Sequence, residues 1–185
     1  MTYTTNKTNY KKTHGGYRNL KSYQTTTIIY DLTVEFVKNY IPKYSRTCDQ
    51  MVQAARSGRQ NIAEGSQASI TSKKTELKLV GVARASQEEL LNDYQDFLRQ
   101  KGFKLWNKDS REAKAVRNLA YKSNRSYETY SAYLTKPETA ANCLICLIHQ
   151  VNFLLDHQLQ SLEQDFIKKG GFTENLYKRR SAARK

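Results

Sequence analysis

Residues 50–65, Gln-Met-Val-Gln-Ala-Ala-Arg-Ser-Gly-Arg-Gln-Asn-Ile-Ala-Glu-Gly, constrain the fold more than any other stretch. Met51, Val52, Ala55 and Ile62 recur at helical spacing, so one face of a helix is apolar. Ala54, Ala55, Ser57 and Gly58 are all small, which makes a thin helix that a neighbouring backbone can approach. Gly58 costs roughly 1 kcal/mol against Ala inside a helix, and close packing is what offsets it. Gly65 predicts the helix end, because glycine takes the left-handed conformation after a last turn without a Cβ clash.

The rest of the chain reads the same way. Its 185 residues fit one domain and include only two prolines and eight glycines, which favours long helices over a turn-rich β fold. Ile29, Leu32, Phe36 and Tyr40 form a helical row over 24–41 that outweighs the β-branched run at 25–29, and Pro42 stops it. A second helix covers 46–64. A third covers 72–101, with a core row of Val80, Ala83, Leu90, Tyr94 and Phe97, Glu76 in its first turn and Gly102 as its cap. Arg84 and Glu88, four apart, are placed to pair. A fourth covers 138–168, with Leu144, Ile148, Val151, Leu155, Leu162 and Phe166 as its core row, and Gly170-Gly171 ends it. Between Cys143 and Ile148 this helix is apolar nearly all round, so it needs cover on more than one side, a sign of subunit contact.

The reading is therefore an all-α, antiparallel four-helix bundle. A polar, basic arm (1–20) precedes the bundle (21–169), and a basic tail (170–185), expected to be mobile, follows it. A basic connector at 103–137 joins the third and fourth helices. It carries eight Lys/Arg against three Asp/Glu, and Asp109 with Glu112 marks a short helix start within it.

Asn61-Ile-Ala-Glu-Gly65, preceded by Gln50, Ala54-Ala55 and Ser57, resembles the signature of a family of bacterial four-helix-bundle proteins. The family includes proteins encoded in intervening sequences of large-subunit ribosomal RNA genes and the accessory variability determinants of diversity-generating retroelements. Glu76, Ala83-Arg84-Ala85-Ser86 and Glu88-Glu89-Leu90 resemble its third helix, and Gly170-Gly-Phe-Thr-Glu174 resembles a C-terminal suffix of one branch. Gln53 and Arg59 stand where the family usually has a basic residue and a proline. The resemblance implies a homopentamer around a basic channel and, for the retroelement branch, a reverse transcriptase as partner.

The net charge of +14 suits a polyanion or an acidic partner, or serves solubility. The N-terminus lacks the apolar region of a secretory signal, no run reaches the ~18 apolar residues of a membrane span, and three unevenly spaced cysteines form no disulfide framework. The expectation is a cytoplasmic protein without a membrane role. Candidate phosphate contacts are Arg56 and Arg59, three apart on one helix, with Lys73, Lys74 and Lys78 close in sequence. The other outcome for these arginines is salt-bridging to carboxylates of a neighbouring helix or subunit. Arg111, Lys114 and Arg117 on the connector and Lys178, Arg179 and Arg180 on the tail complete the candidate set. Tyr121, Tyr127, Tyr130 and Tyr133, interleaved with Lys122 and Arg125, are the basic-aromatic mixture that holds unpaired bases, unless they pack on the bundle instead.

Chemistry finds less support. Cys143-x-x-Cys146-x-x-His149 has metal-like spacing, but the three lie on one helix within an apolar face, so free thiols are expected. No histidine has a glutamate three residues before it, which argues against a di-iron site, and no phosphate-loop, dinucleotide or nucleophile-elbow motif occurs. Asn61 and Glu64 share a helix face, as a network between helices or as a functional pair. No cofactor, metal or catalytic residue is assigned. The function expected is non-catalytic binding of RNA or DNA, the alternative a protein–protein scaffold for an acidic partner.

Overall fold

The computed structural model describes residues 16–184. Of the N-terminal arm, 1–15 lie outside the described residues. Residues 16–19 form a 3-10 turn whose Tyr17 is buried, its ring 4.8 Å from that of Tyr23 and edge-on to it.

Helix α1, Lys21–Tyr40, forms despite its β-branched run because the threonines bond backward to the preceding turn. Thr25 Oγ1 donates to Lys21 O at 2.7 Å, and Thr26 and Thr27 both donate to Tyr23 O at 2.9 Å. Ile29, Leu32 and Phe36 are fully buried, as their spacing requires. Helix α2, Arg46–Ala68, is capped by Ser45, which accepts from Thr47 N–H. It does not stop at Gly65. That glycine is buried within the helix, and a Cβ there would meet Leu79 Cβ at 3.3 Å and the Glu76 carbonyl oxygen at 3.4 Å. The sequence signal for a stop is instead a signal for close approach by α3.

Helix α3, Lys73–Lys101, begins at Ser72, which accepts from Thr75 N–H, and ends at Gly102 in the left-handed conformation. A Cβ on Gly58 would fall 2.0 Å from Gln87 Nε2, so α2 and α3 meet where α2 is thinnest. Beside that contact Ser57 Oγ and Ser86 Oγ lie 2.9 Å apart, and Asn61 Nδ2 donates to Ser57 Oγ at 3.1 Å. Glu64 is exposed, so the network between the helices runs through Asn61, Ser57 and Ser86 without it.

The connector folds into the body. Helix α4, Arg111–Leu119, is capped by Ser110 and buries Ala113 and Val116. The short helix α5, Glu128–Ser131, and a 3-10 turn at 132–135 bury Tyr130 and Leu134 in the core. Helix α6, Pro137–Lys169, turns at Gly170 (φ 68°) into α7, Phe172–Ala182, which buries none of its residues.

The expected antiparallel four-helix bundle with a basic helical connector and a mobile tail is therefore corrected. Among the described residues there are six α-helices when α6 and α7 are counted as one long bent helix of 46 residues, Pro137–Ala182. The physical reason lies in Val116, Tyr130 and Leu134, which belong to the same core as the long helices. The tail is likewise helical, held at its start by Glu174 accepting from Gly171 N–H and by Asn175 Nδ2 donating to Lys169 O.

Helix α1 packs on α2 and α6, and α3 packs on α2 and α6. Contacts between α1 and α6 pair Ser22 with Gln158 and Tyr40 with the Leu134 carbonyl just before α6, so these two helices run in opposite directions. The apolar segment Cys143–Ile148 has its second side covered within the chain by α4 and the turn at 132–135. By length and composition Pro137–Ala182 could cross a membrane, but most of its apolar stretch is buried in the fold.

Candidate functional site

The expected cations separate into groups. Arg56 is exposed on α2. Arg59 is half-buried, with its guanidinium 4.4 Å from the centre of the Tyr30 ring on α1. Its charge also acts on Asp31, whose carboxyl burial raises and Arg59 partly lowers. Lys73 pairs with Glu76 at 2.7 Å, while Lys74 and Lys78 are exposed. Arg59 leans toward the Tyr30 ring of α1, while the three lysines lie in the first two turns of α3. Arg111 and Lys114 are exposed on α4, and Lys178, Arg179 and Arg180 on α7.

Six ion pairs occur among the described residues, and their cations are Lys38, Lys73, Arg84, Arg99 and Lys169. Arg84 is the most engaged: it pairs with Glu88 at 2.7 Å, the pairing its spacing predicts, and also with Asp156 of α6 at 3.0 Å.

One arrangement was not legible in advance. A cleft of about 760 Å³ opens along α6 beneath α4. Its floor is Ile145, Cys146, His149, Gln150, Phe153 and Leu154, a stripe at helical spacing beside the core row. Trp106, Ala113, Arg117, Ala120 and Tyr121 form the opposite wall. Among the described residues four cationic side chains line it, Lys21, Lys108, Arg117 and Arg125, and no Asp or Glu does. Such one-signed, apolar-walled clefts concentrate counter-charged ligands.

The loop before α4 is fixed by Asn142 of α6, whose Oδ1 accepts from Trp106 N–H at 2.7 Å and whose Nδ2 donates to Lys104 O at 2.8 Å. This holds Trp106 and Lys108 at one end of the cleft. Arg125 Nη2 donates to Thr25 Oγ1 at 3.4 Å at the other end, one turn from Lys21. Gln150 Oε1 is buried without a hydrogen-bond partner. Burial pushes the Cys146 thiol up to about 11, against the pull of the Arg117 charge, and raises Cys143 as well. Near neutral pH both groups are thus held as thiols. Among the described residues no group of three or more His, Cys, Asp or Glu side chains is placed to hold a metal ion.

The connector tyrosines divide. Tyr130 is fully buried, Tyr127 and Tyr133 are half-buried, and only Tyr121, 89% exposed, presents its ring at the cleft. Of the expected site residues the cleft contains Arg117. Sequence reading missed Lys21, Trp106, Lys108, Gln150 and Phe153. A usable signal existed in Phe153, an aromatic off the α6 core row.

No protein-family model, curated protein or solved structure matches the chain.

Proposed function

We propose that the chain is a non-catalytic nucleic-acid-binding protein with low base specificity. The observation that carries this reading is a surplus of cations without carboxylate partners. Arg56, Lys74, Lys78, Arg111, Lys114, Arg117, Lys178, Arg179 and Arg180 enter none of the ion pairs among the described residues, on a chain of net charge +14. Cations left free by the protein are what phosphate oxygens engage. Membership of the family of rRNA intervening-sequence proteins and retroelement accessory determinants belongs to the same proposal, as do self-assembly into a pentamer, a reverse-transcriptase partner and a cytoplasmic location.

The test is fluorescence anisotropy of labelled 20-mers, single- and double-stranded, RNA and DNA, at 50 mM salt. Binding is expected, weakened about tenfold or more by Arg56→Glu with Arg59→Glu, which reverses two charges. No binding to any probe at that salt overturns the reading and leaves the scaffold for an acidic partner.

A further inference from the structure

The cleft between α4 and α6 has three properties that together narrow its occupant. Its walls are apolar and aromatic, with Trp106, Tyr121 and Phe153 from three separate segments. Phe153 is 61% exposed and Tyr121 more so, although both are costly to leave in water, and ring faces of this kind stack flat aromatic groups. A buried acceptor without a partner, Gln150 Oε1, sits among those walls. The Gln150 side chain is only half-buried, so a change of rotamer brings this acceptor into the cleft, where a planar ring bearing N–H satisfies it and an aliphatic chain does not. The third property is the unopposed positive charge.

The placement of that charge separates a strand from a free nucleotide. Lys108 lies at the end where Asn142 anchors the loop, and Lys21 and Arg125 lie at the Thr25 end. Between Ile145 and Leu154 the floor alone spans about 14 Å at 1.5 Å per residue. A single phosphate would use cations at one end, whereas a phosphodiester chain uses cations at both.

We propose that this cleft is a base pocket for single-stranded nucleic acid: one unstacked base rests against Trp106 at the Asn142 end, a neighbouring base rests against Phe153 and donates to Gln150, and the flanking phosphates meet Lys108 and Arg117 on one side and Lys21 and Arg125 on the other. The proposal rests on the nucleic-acid reading above and adds where a single strand is held and why it is preferred to a duplex.

Trp106 is the only tryptophan in the chain, so its fluorescence reports on this cleft alone. An unlabelled single-stranded 12-mer is titrated into the full chain at 50 mM salt while Trp fluorescence is followed, and anisotropy of the labelled 12-mer measures binding independently. Quenching that saturates in step with anisotropy is expected, with a duplex of the same sequence binding without matching quenching. Phe153→Ala, at an exposed position, should weaken the single strand about fivefold or more and leave the duplex within about twofold. Strand binding by anisotropy with Trp106 unchanged and Phe153→Ala without effect overturns the pocket while leaving the general reading intact. Absence of binding to any probe overturns both. Quenching by free adenosine monophosphate as strong, at equal concentration, as by the 12-mer assigns the cleft to a free nucleotide and overturns the proposal.

Discussion

The guanidinium of Arg59 lies over the ring of Tyr30, 4.4 Å from its centre, and ties α2 to α1. The contact orders a cation without neutralising it, because the ring carries no charge. Tyr30→Leu should therefore lower stability by about 0.5–1 kcal/mol, the worth of an exposed cation–π contact. Urea denaturation measures that loss. Nucleic-acid affinity should stay within about twofold, since the charge of Arg59 remains.

The seam between α2 and α3 makes a sharper demand. A Cβ on Gly58 would overlap the buried carboxamide of Gln87, whose two polar atoms have no hydrogen-bond partner. Gly58→Ala alone should destabilise by about 1–3 kcal/mol through overpacking, despite the better helix propensity of alanine. Adding Gln87→Ala removes the obstacle and the unpartnered amide, and should recover most of the loss. A double-mutant cycle by urea denaturation reads the coupling, and additive losses would show that the two residues do not meet.

Alkaline pH should weaken the fold through its buried acids. Burial raises Cys146 from an ordinary 9.0 to about 11 and raises Cys143, Tyr94 and Tyr130 in the same direction. The unfolded chain then holds fewer protons than the folded one above the ordinary value. The stability linked to Cys146 is complete below about pH 9 and is lost as pH rises toward about 11. Urea midpoints should fall across that window, and Cys146→Ala should make the fall shallower. An identical fall in the variant would remove Cys146 from the account.

The long helices were legible because their cores repeat at helical spacing: Ile29, Leu32 and Phe36 on α1, and Leu144, Ile148, Val151 and Leu155 on α6. The ends of α3 were legible too, from Ser72 and Gly102. Gly65 was misread because glycine serves both as a helix stop and as a place for a neighbour to come close. Only Leu79 and Glu76, on another helix, decide between these uses. The short helix of the connector was legible from Asp109 and Glu112, but the entry of Val116 and Tyr130 into the main core was not, because their burial depends on α6 leaving a face for them. The candidate cleft was least legible. Lys21, Lys108, Gln150 and Phe153 lie far apart in the chain, and no local pattern announces that they meet.

The central claim is that phosphates take the cations the protein leaves free, and the salt dependence of single-strand binding tests it most directly. With 6–10 phosphate contacts, affinity should fall by about 10³–10⁵ between 50 and 200 mM salt, along a straight line of log affinity against log salt. An affinity that is flat across that range would contradict the account.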